Sequence, residues 1–165
     1  MIEKIQNLIH ALRDELQQYG EMLALLDQHQ ELVMRRATDE LLPSVEDIQA
    51  QGAVIQEVRR RRAECQRLVS HELHLADGAT FADLVPLLPE DYRPLLGALV
   101  QENNELLTRV QQRSRQNHLL LARTLEMMQR FMSTLFPGSA SPVYNEMGSV
   151  LGRAVSMHSL YEAVG

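Results

Sequence analysis

Two histidines about one helical turn apart are the residues most suggestive of metal chemistry. His71-Glu72-Leu73-His74 is one residue shorter than the His-Glu-x-x-His motif of zinc enzymes. At this spacing the two imidazoles can share a helix face, but no third ligand is evident in the sequence. No glutamate is followed three residues later by a histidine, as a di-iron helical bundle requires. We therefore expect no metal site and interpret the pair as a polar helix end.

Nucleophilic and phosphate chemistry are indicated even less. Cys65 is the only cysteine, and it lies on the apolar side of a helical pattern, as a structural thiol does. The chain has no glycine-rich phosphate loop and no pair of carboxylates that stands out from the surface charge. We predict that the protein is not an enzyme and needs no cofactor.

One basic cluster, Arg59 to Arg62, raises the question of nucleic-acid binding. On a helix, four consecutive residues point in all directions, so they cannot form one basic stripe. Glu57 and Glu64 are close enough to pair with them, and the whole chain carries a formal net charge of −6. An ion-paired helix surface is the better interpretation, and we expect no nucleic-acid partner.

The composition predicts an all-α protein. Apolar residues make up 45% of the 165 residues but aromatic residues only 4%, which suits helical seams better than strands. No apolar run is long enough to span a membrane. The N-terminal residues lack the pattern of a signal peptide, and the single cysteine fits a reducing compartment. We therefore expect a cytoplasmic protein.

Apolar residues at alternating steps of three and four predict long helices, with breaks between them. The expected helices cover residues 2–36, 44–75, 81–86 and 90–135. Ser44 and Thr80 each begin a capping-box pattern, and Pro137-Gly138 ends the last helix. Residues 1–136 should form an elongated antiparallel helical hairpin or three-helix bundle, followed by a linker and tail at 137–165.

The end of the last predicted helix carries an unusual group of methionine and phenylalanine residues. They could be ordinary core, or they could form a surface that adapts to different apolar helices, as flexible thioethers do. Because the longest helix can extend beyond its neighbours, we favour exposure. The candidate binding residues are Asn117, Leu120, Met127, Met128, Phe131, Met132 and Leu135.

Two short segments of the chain, Asn117-His118-Leu119-Leu120-Leu121 and Ser141 to Gly148, resemble motifs of a known family. The first is similar to the Asn-x-x-Leu-Leu segment of the FlgN-like flagellar export chaperones, and the second is similar to their Tyr-x-x-x-Gly segment. The succession of helices, with a leucine- and proline-containing stretch from Leu84 to Pro89, is similar as well.

The resemblance implies a cytoplasmic chaperone of the flagellar type III export pathway. Its clients would be the helical C-terminal segments of hook-associated junction proteins, bound by the long last helix. Tyr144 would dock on the export gate, although it could instead fold back onto the helices. A structural coiled-coil adaptor that self-associates remains the alternative from another class, with a metal-binding bundle enzyme as a third.

The tail contains one further periodic segment, where the chain departs from the resemblance. Its apolar residues recur at helical spacing from residue 150 to 164: Val150, Ala154, Met157, Tyr161 and Val164. About 15 residues are marginal as an isolated helix in water, so such a segment folds only against an apolar surface. We expect a short amphipathic helix that docks in the client groove, on the same molecule or on a neighbour through self-association.

Overall fold

The computed structural model describes residues 1–76 and 78–135, and in this part of the chain it contains four α-helices and no strand. The helices are α1 (Ile2–Arg35), α2 (Thr38–Glu72), α3 (Phe81–Leu84) and α4 (Arg93–Leu135). A 3-10 turn, Val85–Leu87, follows α3 directly. The predicted all-α class with long helices is confirmed. The predicted linker and tail, including Tyr144 and residues 150–164, lie outside the described residues.

Polar contacts between the long helices define their directions. Lys4 pairs with Glu72 at one end of the α1–α2 hairpin, and His29 Nδ1 lies 3.0 Å from Ser44 Oγ near the other, so α1 and α2 are antiparallel. In contrast, α4 is parallel to α1, because Asn103 donates to the carbonyl of Leu12 and a second asparagine repeats the contact further along. Helix α1 packs along both α2 and α4, which contact each other little.

Having neighbours on two sides, α1 buries a broader face than one heptad seam. The apolar residues of α1 that recur at steps of three and four are largely internal, with Ile5, Leu12 and Tyr19 all buried. The first of these apolar residues, Ile2, is exposed. A second set of buried positions was not predicted and includes two ionisable side chains: Leu8, Glu15, Met22, His29 and Leu32.

Helix α2 begins six residues before its predicted start at Ser44. Arg36 adopts a left-handed conformation (φ 56°) and Ala37 N–H donates to Leu32 O at 3.0 Å, which closes α1 tightly and lets α2 begin at Thr38. Pro43 is therefore inside the helix, and its missing N–H removes one backbone hydrogen bond. The predicted capping role of Ser44 is wrong, because its hydroxyl contacts His29 instead.

The connection between α2 and α4 follows the sequence more closely. Thr80 donates to Asp83 Oδ2 from its backbone N–H at 2.9 Å and from its hydroxyl at 2.7 Å, which fixes the start of α3 as the predicted capping box requires. The predicted helix 81–86 is split into α3 and the 3-10 turn. Helix α4 begins at Arg93 rather than at 90, so that Pro94 occupies its first turn, where proline is tolerated.

Acidification should destabilise the fold in part through His29. Its side chain is buried, and this burial lowers its pKa below 6.5. As the pH falls through 6.5, the unfolded chain takes up a proton at this residue while the folded protein stays neutral to a lower pH. The stabilising contribution of neutral His29 is therefore fully present above pH 6.5. It is lost as the pH falls from 6.5 to the lower pKa of His29 in the folded protein. Replacing His29 with Asn should give a shallower fall in urea stability between about pH 7.5 and 5.5.

The matched control is His10→Asn, since His10 is exposed. That variant should keep the slope of the parent protein. A His29→Asn variant with the parental slope would show that His29 binds its proton equally well in both states.

Candidate protein-binding surface

Helix α4 changes from buried to exposed along a single apolar seam. Leu96, Val110 and Asn117 are fully buried. Further along the same face Leu120 and Thr124 are half-buried. Beyond Thr124 the seam becomes exposed. We use the name α4 stripe for the half-buried Leu120 together with four exposed residues: Met127, Met128, Phe131 and Met132. Met127 and Phe131 are 60% and 63% exposed, so the predicted exposure of this end of the helix is confirmed.

The register of α4 on α1 causes this exposure. Asn103 contacts Leu12 and Asn117 contacts Leu26, and both pairs are separated by 91 residues in the sequence. With the same offset, the last residue of α1, Arg35, lies level with Glu126 of α4. The segment 127–135 therefore runs past the end of α1, by about 13 Å at 1.5 Å per residue. It has no α1 residue beside it.

Other exposed apolar side chains lie near the same end of the molecule. Met34 near the end of α1 is 62% exposed, and Leu42 near the start of α2 is 67% exposed. Leu119 and Leu125 widen the apolar surface of α4 itself. Concentrated exposed apolar surface of this kind is typical of a site that binds another protein. Leu135 ends α4, and it is the one candidate on this helix whose side chain lies outside the described part.

Asn117, by contrast, lies inside the protein at the point where the buried seam ends. Its Nδ2 donates to the Leu26 carbonyl at 2.7 Å. The amide of Asn117 is therefore paired with a neighbouring helix of the bundle. Its Oδ1 is buried and has no hydrogen-bond partner among the described residues, and the same holds for Asn103 Oδ1.

A third polar residue of α4, Arg113, also contacts α1. Arg113 Nε lies 2.6 Å from Asp27 Oδ1, and its Nη1 donates to Gln30 Oε1 at 2.7 Å. Gln30 of α1 therefore has a polar partner on α4. These polar residues fix α4 on α1, whereas the α4 stripe has no such contact with α1.

A cleft of about 460 Å³ opens where α1, α2, α3 and α4 approach one another. The buried Glu15 accepts hydrogen bonds there from Tyr19 Oη at 2.9 Å and from Arg62 Nε at 3.0 Å. Burial, followed by the neighbouring Glu15 charge, raises the pKa of Tyr19. Arg62 also stacks over Phe81, 5.7 Å from the ring centroid. These side chains satisfy one another's polar groups, and their contacts hold α1, α2 and α3 together. Sequence reasoning missed this network, whose only signal was a glutamate on an apolar helix face.

The remaining candidates for chemistry have structural surroundings. Arg60 Nη2 and Arg61 Nε lie 2.9 and 3.1 Å from Glu57 Oε1, and these hydrogen bonds lower the pKa of Glu57 to about 2. Burial raises the pKa of the Cys65 thiol, which disfavours the reactive thiolate. In residues 1–76 and 78–135 no three histidine, cysteine or acidic side chains are grouped to hold a metal ion. None of the described helices is both long and apolar enough to cross a lipid bilayer.

Comparison with protein families identified a match that covers most of the chain. The family model described as FlgN protein matches residues 1–151. No curated protein and no solved structure gave a significant match. The family match extends beyond the described helices and includes Tyr144.

Replacing Asn117 with Leu should stabilise the protein by about 1 kcal/mol. The substitution removes a buried Oδ1 that lacks a partner, and it adds apolar surface to the α1–α4 interface. The hydrogen bond to Leu26 is lost, but that carbonyl lies within α1 and retains its helical environment. Urea unfolding monitored by circular dichroism measures the change.

Asn104→Leu is the control on the exposed side of the same helix, and its effect should stay within about 0.5 kcal/mol. If Asn117→Leu lowers stability by more than that, the amide is fully satisfied in the protein and contributes net stabilisation.

Proposed function

The chain belongs to the FlgN family, the flagellar export chaperones, and from this premise we propose that it binds the helical C-terminal segments of hook-filament junction proteins. In this proposal the chaperone works in the cytoplasm and delivers these clients to the export gate. The α4 stripe is the client-binding surface, and Tyr144 is the docking residue for the gate.

The observation that supports client binding most strongly is that the apolar seam of α4 continues beyond the end of α1, the helix on which the earlier part of the seam packs. Up to Asn117 the seam of α4 packs against α1, and beyond residue 126 no α1 residue lies beside it. A client helix laid along this face would continue the same packing, in the manner of an amphipathic helix in a groove. The chaperone thus offers an incomplete helical seam that its client completes.

The residue types of the stripe suit this role. Burying a Met or Phe side chain contributes about 1.5–3 kcal/mol, so a few of them can hold a client with useful affinity. Methionine adapts its shape to the surface opposite, which suits a chaperone that serves more than one client. Asn117 does not contribute a free amide in this arrangement, because Leu26 already accepts from it. Its part in client binding is indirect, through the position of α4. Leu135 extends the apolar spacing of the stripe by one more turn in the sequence.

Tyr144 supports the second half of the proposal. It lies within the matched region 1–151, in a segment whose neighbours are mostly small or polar. An aromatic side chain in such a segment suits a pocket on a partner protein. Client binding and gate docking would then use separate parts of the chain.

A self-associating structural adaptor is the second candidate, because the same exposed stripe could pair with a second copy. The two functions differ in stoichiometry. A chaperone forms a defined complex with an added client peptide, whereas an adaptor associates with itself and ignores the peptide.

Changing Met127 and Phe131 together to Ser should weaken client binding at least a hundredfold, since two buried apolar side chains contribute about 3 kcal/mol or more. Both side chains are more than half exposed within the described part of the chain, so the helix content of the variant should stay nearly unchanged. The probe is a synthetic peptide with the C-terminal helix of a junction protein from the same genome, and calorimetry gives the affinity.

Leu95→Ser is the matched control, because Leu95 is a partly exposed apolar residue near the opposite end of the same helix. It should bind the peptide as the parent protein does. Full binding by the Met127 and Phe131 variant would refute the assignment of the α4 stripe.

Changing Tyr144 to Ala should leave the peptide affinity unchanged and block export of the junction proteins in cells. The first result follows because the α4 stripe stays intact, and the second because the aromatic anchor for the gate is removed. Secretion into the culture medium is the measurement. Val143→Ala is the neighbouring control and should export normally, as an apolar side chain beside the anchor is not required. Normal secretion by Tyr144→Ala would remove the docking role.

A further inference from the structure

The α4 stripe leaves a large apolar surface without any described neighbour. Met127, Met128, Phe131 and Met132 are each more than half exposed, although a helix that ends in solvent could carry polar residues at these positions at no cost. Such a surface favours aggregation when nothing covers it. A free chaperone spends part of its time without a client, so a cover within the same chain would be an advantage.

The chain continues for residues 136–165 from the point where the stripe ends. Within this stretch the apolar residues Val150, Ala154, Met157 and Tyr161 recur at helical spacing, as on a helix that packs against another. Only three charged side chains occur in these residues: Glu146, Arg153 and Glu162. A segment of this length needs an apolar surface in order to fold.

The connecting residues are long enough for this segment to return to the stripe. Residues 136–149 can extend roughly 45 Å at about 3.3 Å per residue. From Leu120 to Met132 the stripe is about 18 Å long at 1.5 Å per residue along the helix axis. The linker therefore allows the segment to lie along the stripe in either direction.

We propose that residues 150–164 cover the α4 stripe of their own chain as an amphipathic helix, and that a client must displace them. This regulation rests on the proposed function, since it concerns the same site. An intramolecular segment acts at an effective concentration in the millimolar range, above that of a second copy in solution. The cover therefore forms within one molecule, prevents self-association, and sets a threshold of affinity that a client must exceed.

Full-length variants with and without a disrupted tail face test the cover directly. Met157→Asp together with Tyr161→Asp places two charges on the apolar face, whereas Ser156→Asp together with Ser159→Asp places the same charges on the polar side of the helical pattern. The first readout needs no client: binding of the dye ANS, and hydrogen exchange of the backbone amides in residues 120–134.

The apolar-face variant should bind more ANS and exchange these amides faster than the parent protein, and the polar-side variant should match the parent. The affinity of the apolar-face variant for the junction-protein peptide should rise roughly tenfold or more, because the competing segment no longer covers the stripe. A rise in ANS binding with unchanged peptide affinity would support the cover and count against the stripe as the client site, so the two proposals fail separately.

Equal ANS binding and equal exchange in all three proteins would overturn the proposal. Protection of residues 120–134 that increases with protein concentration would overturn it as well, because it would assign the cover to a second copy.

Discussion

The parallel register of α4 on α1 is the constraint on which the rest of the structure depends. Two asparagine amides, on Asn103 and Asn117, donate to carbonyls of α1 with the same sequence offset. A polar residue at a seam position fixes register at a cost in stability, since a shifted helix would leave the amide unpaired. With this register α4 starts beside the first turns of α1 and ends beyond it. The exposed end of α4 is therefore a consequence of helix length and of two hydrogen bonds.

Helix α1 can serve as the common partner because its apolar face is wide. One side meets α2 and the other meets α4, and both interfaces include a polar contact that a slipped pairing would break. On the α2 side, Glu15 accepts a hydrogen bond from Arg62, and on the α4 side, Gln30 accepts one from Arg113. Removing one partner of the Glu15–Arg62 pair is the costly change, because Glu15 is buried, whereas the part-buried Arg113–Gln30 contact contributes less. The three long helices hold a fixed frame without α2 and α4 packing tightly on each other.

The sequence was sufficient to predict the long helices, because heptad spacing repeated over many turns has no other common cause. It also predicted the exposed end of α4, since Met127 and Phe131 follow a seam longer than any neighbour can cover. It could not predict that α4 is parallel to α1, because periodicity specifies a face and not a direction. Nor could it predict the helical Pro43 or the buried Glu15. Pro43 is helical because the left-handed turn at Arg36 lets α2 begin early, and Glu15 can be buried because Arg62 pairs with it.

The distribution of polar and apolar side chains along α4 separates a part with fixed geometry from a part with an adaptable surface. Where α4 packs on α1, polar side chains fix the register of the two helices. At the end of α4, methionine and phenylalanine take their place, and these side chains can adapt to the surface opposite. The exposed methionine and phenylalanine side chains lie on a helix that is already formed, and under the proposed function a client would meet this rigid element rather than an unfolded segment. The cost is exposed apolar surface, which limits how long such an end can be. Under both proposals, a client or the tail would pack as a further helix against the end of α4, beyond the point where α1 stops.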